Sequence, residues 1–554
     1  MDPLRSRYPN ELAEHTVILT NDSENQTKTR RKYLKLLHTL ATYKFAGYNP
    51  TDWQCLDSHT PCVIADDEFA FADASQFPIC QLPTYQRKET SLMKSNHLKH
   101  HLLIALASAV LLLPVKINAA EPLKVFILAG QSNTVGHARA HTIATLYASD
   151  APRDKELIEL VIDANSGISN ATLEEQLVRG RKLDELTGGI SNDKVKALSD
   201  GPEKNDLEAK VKVLKDQHEA YKTKIGSACT VSDRVYINSI ADGNKKSGKL
   251  GIGYGASNDK IGPEFAFGLS MADKIDGPIL LIKTSWGGKS LNYNFRPPSL
   301  PDFQTTPEYA AAKAKASENL KRYEAAIKSF PQDEAKYKAD LAAYKEQMKT
   351  ADEKARKKLR EPREPREPRK PKPFNMSEAG LNYRMMNEAI QEVLANLKDN
   401  HPEYDAEAGY EIAGFVWFQG YNDQFSPEFR GNYKNNMMTF IKDIRKEYKT
   451  PNMPFVIGVL GTGMTAEKVG ENEVSLAQRA AAKAMGTKNG VASVESYRDY
   501  SLYSNEVFQK GWPQHYHEWD TVGSDRPYHY LGSGAFFVRL GDSFADSMHD
   551  LMKE

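Results

Sequence analysis

Three residues stand out for where they fall relative to apolar runs. Ser132 lies in Gly130-Gln131-Ser132-Asn133, directly after the run Lys124–Ala129. A serine on a sharp turn between a strand and a helix exposes its hydroxyl at the top of a sheet. The backbone N–H groups of such a turn point the same way, and nucleophilic attack on an acyl carbon needs that geometry. A turn serine that merely caps the next helix is the plainer reading. Asn422 lies in Gly420-Tyr421-Asn422-Asp423, after the run Glu411–Phe418. Its amide can donate to an oxyanion, which needs fixed N–H donors rather than charge; an Asx turn is the plainer alternative. Trp286-Gly287-Gly288, after Pro278–Lys283, offers a further backbone donor or is simply a turn. His515, His517 and His529 stand near the end, among Glu518, Asp520 and Asp525. A serine nucleophile needs a base, usually a histidine oriented by a carboxylate. His529 precedes an amphipathic terminal segment and has Asp525 four residues before it, although a single histidine is more often structural. Gly541-Asp542-Ser543 also resembles a hydrolase signature, but no strand precedes it and Ser543 falls inside the last helical segment.

These residues need a scaffold. Lys124–Ala129, Pro278–Lys283, Glu411–Phe418 and Pro454–Leu460 read as buried strands, each running into a glycine-containing turn; Gly490–Val494 is a fifth candidate. Glu264–Lys274, Leu381–Leu397, Tyr433–Tyr448, Leu476–Met485 and Gly532–Leu551 carry helical periodicity. Strands alternating with helices predict a parallel sheet covered on both faces, with ligands at the carboxyl ends of the strands. Residues 150–250 read as a polar insertion holding a helix at Asp206–Tyr221 and a strand at Arg234–Ile240. Residues 303–375 read as a second insertion. Glu308–Phe330 and Asp333–Arg360, split by Pro331, predict an antiparallel helical hairpin with arms of ~34 and ~42 Å. The Glu-Pro-Arg repeats of Glu361–Pro373 predict an extended tract after it. This arm is either a solvated insertion or a lid or partner-binding element.

The longest apolar stretch, Leu102–Val115, has the length of a signal-peptide core rather than of a membrane span. Lys94 and Lys99 precede it, small residues ending at Ala119–Ala120 follow it, and Met93 opens the unit. Met93–Ala119 therefore reads as a signal peptide, and residues 1–92 as sequence upstream of the true start. Residues 120–554 would be the exported chain, periplasmic or extracellular. Three of the four cysteines (Cys55, Cys62, Cys80) precede it, leaving Cys229 alone, so no intrachain disulfide is expected. The 73 basic and 73 acidic residues cancel, which argues against a nucleic-acid binder.

Taken together, Val125–Asn133 (VFILAGQSN), Gly262-Pro263-Glu264, Leu280–Ser290 (LLIKTSWGGKS), Trp417–Asp423 (WFQGYND) and His529 with its helix resemble, in order, the blocks of the sialate O-acetylesterase-like branch of the SGNH hydrolases. The resemblance covers residues 120–554 apart from the insertions. It implies a flavodoxin-like three-layer α/β/α sandwich around a central parallel sheet, and a serine esterase without metal or cofactor acting on an acetylated carbohydrate. It makes Ser132 the nucleophile, His529 the base and Asp525 its orienting carboxylate. Gly288 (or Gly287) and Asn422 would complete an oxyanion hole with the Ser132 N–H, and Gln131, Gln419 and Asp423 would contact substrate. The chain departs from the pattern twice: Tyr421 stands where relatives carry glutamate, and Asp525 is four rather than three residues before the histidine. These departures sustain a rival from another class, a non-catalytic glycan-binding or cell-surface scaffold protein. An esterase for longer acyl chains is the rival among enzymes.

Overall fold

The computed structural model describes residues 121–554 apart from position 357. The expected leader Met93–Ala119, residues 1–92 and their cysteines lie outside the described residues. Among the described residues no helix is long and apolar enough to cross a membrane.

Seven strands form the central sheet: β1 Leu123–Gly130, β2 Val235–Ala241, β3 Asn244–Lys249, β4 Ile279–Ser285, β5 Tyr410–Phe418, β6 Phe455–Val459 and β7 Val491–Glu495. Their order is β3-β2-β4-β1-β5-β6-β7, and every pairing except β2 with β3 is parallel. On one side the chain runs outward through β5, β6 and β7, and on the other it visits the β2–β3 edge and returns to β4 beside β1, so the order reverses beside β1, where α/β sheets open a crevice for ligands. The turns carrying Ser132 and Asn422 leave the carboxyl ends of the adjacent strands β1 and β5.

The strands are apolar throughout because both faces are covered. Along β1, Val125, Ile127 and Ala129 enter one core while Phe126 and Leu128 enter the other. The helices used below are α1 Ser132–Val135, α2 Asn170–Thr187, α3 Pro202–Ala228, α4 Glu264–Lys274, α5 Pro307–Thr350, α6 Leu381–Ala395, α7 Pro427–Glu447, α8 Glu473–Met485 and α9 Gly534–Lys553. Phe265, Phe267, Phe537 and Phe544 of α4 and α9 fill the first core, and Met386, Phe440 and Val474 of α6, α7 and α8 fill the second. The three-layer expectation therefore holds. Ser543, on α9, receives a hydrogen bond from Arg153 and donates one to Asp499, a structural role.

One expectation is corrected. The helical hairpin is a single 44-residue helix, α5, that continues through Pro331. Proline inside a helix costs roughly 3 kcal/mol, but Ala, Lys and Glu on both sides favour continuing. Folding back would also need an apolar seam between the two halves, and Glu308 is the only buried residue of α5. The segment 150–250, read as a polar insertion with a strand at Arg234–Ile240, carries that strand as β2. Its end supplies the sheet edge, β2 and β3. Its α2 residues Leu173 and Leu177 build a small core with Val507, Trp519 and Val522. Cys229 is buried in the first of the two sheet cores, which pushes its thiol up to about 12 and leaves it unreactive.

A buried polar cluster joins this segment to the rest. Asp520 accepts from Arg139 (3.3 Å), His218 (3.3 Å) and Lys222, and His141 Nε2 donates to its backbone carbonyl at 2.6 Å. Burial pushes His141 down to about 4 despite Asp520, and His517 likewise to about 4. A histidine whose folded pKa is depressed contributes stability that is full above 6.5 and is lost as pH falls toward the folded value. Going from pH 7 to pH 5 is therefore expected to cost ~2 kcal/mol at His141 alone. Urea midpoints at the two pH values measure this, and His141→Gln should shrink the difference.

Candidate active site

The nucleophile turn is set by close contact between β1 and β5. A Cβ at Gly130 would lie 2.2 Å from the Phe418 carbonyl oxygen and 2.3 Å from Thr134 Oγ1, so only glycine fits. Thr134 Oγ1 donates to that carbonyl at 2.7 Å, and the N–H groups of Thr134 and Val135 turn back onto the Gln131 carbonyl. Ser132 sits at the start of α1, half-buried, with its neighbours Gln131 and Asn133 buried.

Gln131 is 2% exposed and spans the switch point. Its Oε1 accepts from the N–H groups of Gly420 (3.2 Å) and Asn422 (3.4 Å), and its Nε2 donates to Asn422 Oδ1 at 3.5 Å. That contact turns the Asn422 Nδ2 group outward, 4.0 Å from the Cβ position of Gly288. Gly288 has φ +68°, a left-handed conformation that suits glycine. Of the two glycines, Gly287 has its N–H committed to Asp242 Oδ1 at 2.7 Å. The Gly288 N–H has no protein acceptor among the described residues, so Gly288 and Asn422 present two free donors side by side.

Gln131, Gln419 and Asp423, expected to contact substrate, are buried beneath this surface. Asp423 is fully buried and accepts from the N–H groups of Leu291 (2.9 Å) and Asn292 (3.0 Å) and from Gln419 Nε2 (2.6 Å). Burial pushes its carboxyl up to about 6 against these three donors. Gln419 also donates to the Lys289 carbonyl at 2.9 Å and accepts from Tyr433. The pair clamps the loop carrying Gly288 to the turn carrying Asn422.

His529 lies 3.1 Å from Asp525, Nδ1 to Oδ1, so the four-residue spacing does bring them together. The ring nitrogen meets the carboxylate off line, and its direction is not that of a well-made hydrogen bond. The turn that follows His529 is unusual. Tyr530 (φ +50°), Leu531 (φ +62°) and Gly532 (φ +55°) are consecutive left-handed residues, and the two side-chain-bearing ones cost roughly 1–2 kcal/mol each. The N–H groups of Ser524 and Asp525 both donate to the Leu531 carbonyl. Tyr530 is buried, stacks on Phe536 at 3.9 Å, accepts from the Gly461 N–H and shares a hydrogen bond with the Ser496 hydroxyl. Burial of this tyrosine offsets the strain that aims His529. Asn133 Nδ2 donates to the Tyr528 carbonyl at 3.2 Å, which ties this turn to the one carrying Ser132. Among the described residues no hydrogen bond joins the Ser132 hydroxyl to His529; such bonds often tighten only when substrate is bound.

His137 is a participant that sequence reasoning missed. Its ring stacks on His529 at 3.9 Å and 11°, and its Nδ1 lies 3.2 Å from Asp525 Oδ2. Asp525 thus serves two histidines, with Lys260 at 3.9 Å. Burial alone would raise its carboxyl, but His137, His529 and the Arg526 N–H hold it well below the usual carboxylate range. Burial lowers His137, against the pull of Asp525. His137, Asp525 and His529 lie close enough to suggest a metal site. Their rings stack nearly parallel, so their in-plane lone pairs cannot both point at one ion between them, and the set fits a shared carboxylate better. A hydrogen bond to a charged group contributes ~1.5–3 kcal/mol. His137→Phe, which keeps the stacking but not the donor, is therefore expected to lower kcat roughly tenfold. Steady-state kinetics on an acetyl ester check this, and unchanged kcat would leave His137 a packing residue.

Lys283 is the second residue without a signal, since it sits in an apolar strand run. It is fully buried, 2.9 Å from Glu264 Oε2, and donates to the carbonyls of Val135 (2.8 Å) and Tyr254 (2.7 Å). It fixes the end of α1 and gives Gly262-Pro263-Glu264 its role. His515 and His517 belong to the neighbourhood of Glu518 and His218, not to this site.

Residues 380–499 match the family described as "Carbohydrate esterase, sialic acid-specific acetylesterase". No curated protein sequence matches the chain. Among solved structures, a protein of Arabidopsis thaliana is 13% identical, with 77% of this chain and 98% of that one covered and a TM-score of 0.32. A carbohydrate acetylesterase from Xanthomonas citri is 10% identical over 61% of this chain and 41% of its own, with a TM-score of 0.23. NanS is 9% identical over 68% and 78%, with a TM-score of 0.27. Over residues 380–499, then, this chain is matched by the carbohydrate-esterase family of sialic acid-specific acetylesterases, the family that its ordered sequence blocks resemble.

Proposed function

We propose that the chain is an exported serine esterase that removes O-acetyl groups from a carbohydrate through an acetyl-enzyme. One observation carries the reading: the Asn422 Nδ2 lies 4.0 Å from the Cβ position of Gly288, and the neighbouring Gly287 lies against Ser132, with 3.9 Å from its Cβ position to the Ser132 Cβ. A pair of donors held by buried clamps is what a developing oxyanion requires.

In this mechanism His529, oriented by Asp525, takes the proton of Ser132 as the hydroxyl attacks the acetyl carbonyl. The Ser132 and Gly288 N–H groups and the Asn422 amide hold the oxyanion. His529 then gives the proton to the departing sugar hydroxyl, and an acetyl ester on Ser132 remains. Water, deprotonated by His529, releases acetate. Asp525 stays ionised throughout, since its carboxyl is held below the usual range. No step calls on a metal or cofactor. Export rests on the leader read at Met93–Ala119. N-terminal sequencing of the secreted protein tests it, and a chain beginning near residue 1 would refute it.

The test of function is acetate release across a panel of acetylated glycans, with Ser132→Ala as control. Glycan retention without hydrolysis would favour the non-catalytic scaffold instead, and faster release of longer acyl chains would favour the other esterase. The role of α5 as a partner-binding arm is a separate proposal, open to a pull-down with and without residues 307–350.

A further inference from the structure

Beside the donors and His529 lies a group of aromatic rings that the mechanism does not use. Phe425 is 62% exposed and Tyr528 is 42% exposed. Tyr421 stands between them, 5.3 Å from the Phe425 ring and 6.0 Å from the Tyr528 ring, centroid to centroid. The Tyr528 ring in turn meets His529 at 4.5 Å. An aromatic residue as exposed as Phe425 normally gains by being covered, by about 25 cal/mol per Å² of apolar surface removed from water.

The group is rigid. Phe425 closes the short turn Asp423–Phe425, whose first residue is the buried clamp described above. Gln424 is pinned on both sides, its carbonyl by Arg430 at 2.8 Å and its side chain by Asn472 at 3.2 Å. Tyr528 is held through its carbonyl by Asn133. The two tyrosine hydroxyls have no protein partner among the described residues. Nearby charges are engaged elsewhere: Arg430 pairs with Glu473 at 2.9 Å, and Arg526 lies over the Trp512 ring at 3.9 Å. The surface thus offers ring faces and two free hydroxyls, but no free cation from these residues.

Its position decides what it would hold. The oxyanion donors are on Gly288 and Asn422. The group that gives the proton to the leaving oxygen is His529, and the aromatic rings flank His529. The leaving alcohol, not the acetyl group, must therefore pass over them. Close to Ser132, Asp242 is exposed and places its carboxylate against Gly287, whose Cβ position lies 3.9 Å from the Ser132 Cβ, which disfavours a negatively charged ring.

We propose that Tyr421, Phe425 and Tyr528 form a stacking subsite for the sugar ring that leaves, and that this ring is uncharged. Its apolar C–H face lies on the aromatic rings, and its hydroxyls reach the two phenols. The inference rests on the esterase reading of Ser132 and His529. It also assigns a role to Tyr421 in the place where relatives carry glutamate.

The test compares three acetyl esters: 4-nitrophenyl acetate, a mono-acetylated neutral methyl glycoside, and O-acetylated sialic acid. The wild-type protein should prefer the neutral glycoside to the acidic sugar in kcat/KM. Phe425→Ala should lower the ratio of neutral-glycoside to nitrophenyl-ester kcat/KM at least tenfold, mostly through KM. Phe425→Trp should restore the ratio. Leu502→Ala, which removes another strongly exposed apolar side chain far along the sequence, serves as the control for nonspecific effects. If the wild type cleaves none of the three esters, the esterase reading fails. If it cleaves them and Phe425→Ala leaves the ratio unchanged, the subsite is wrong and the esterase reading stands. A preference for O-acetylated sialic acid overturns the uncharged ring.

Discussion

Ser132→Ala is expected to lower kcat for acetyl-ester hydrolysis by at least ~10^4-fold, because removal of a serine nucleophile leaves only the oxyanion donors and binding to act on water. The loss should come without loss of fold. Ser132 is half-buried, and among the described residues its hydroxyl makes no hydrogen bond that holds the turn. The turn is kept by the Gln131 carbonyl, by Thr134 on the Phe418 carbonyl, and by Lys283 on the Val135 carbonyl. The unfolding free energy from urea titration should therefore stay within ~0.5 kcal/mol of wild type, as for substitutions away from structural features. Acetate release by the folded variant at the wild-type rate would remove Ser132 from the mechanism.

Asn422→Ala is expected to lower kcat by ~10²–10³-fold, the cost of removing one oxyanion donor, with little change in KM. The argument depends on which end of the amide faces the site. Gln131 Nε2 holds Asn422 Oδ1, so the donating end is the one that points toward Gly288. A carboxylate there would face the oxyanion with like charge, so Asn422→Asp should be at least as damaging as alanine. The split between kcat and KM discriminates. A rise in KM with kcat unchanged would mean that Asn422 contacts the ground-state substrate and stabilises nothing in the transition state.

The scaffold was largely legible in the sequence because a parallel sheet buried on both faces must be written as continuous apolar runs. Val125–Ala129 and Phe415–Phe418 could not be anything exposed, and the glycine that ends β1 marks where two strands come too close for a side chain. The arm was misread because a proline suggests a break, while the choice between one helix and two depends on whether an apolar seam exists to pair them. Almost no buried residue on α5 answers that question. The site was legible only in part. Ser132, Asn422 and His529 each follow a strand or precede a helix in a recognisable way. Gln131, Gln419 and Asp423 are buried beside the site, and hydrogen-bonding capacity in a sequence does not reveal which side of a loop a side chain is on. His137 carries no local pattern. Its meaning comes only from Asp525, nearly four hundred residues along the chain.

The hairpin turn between β2 and β3 changes how the chain can be taken apart. Asp242 and Gly243 are both left-handed there (φ +49° and +85°), and the turn delivers the Asp242 carboxylate to the Gly287 N–H. The Asp242 N–H donates to the Ser285 carbonyl at 2.9 Å. A segment that looks like decoration in the sequence thus braces the loop that offers Gly288. Modularity is therefore uneven. The exposed arm at 307–350 could be spliced out by joining its flanks. The segment at 150–250 could not, because a trimmed enzyme would lose the brace along with the sheet edge, and any attempt at a minimal catalytic core has to keep it.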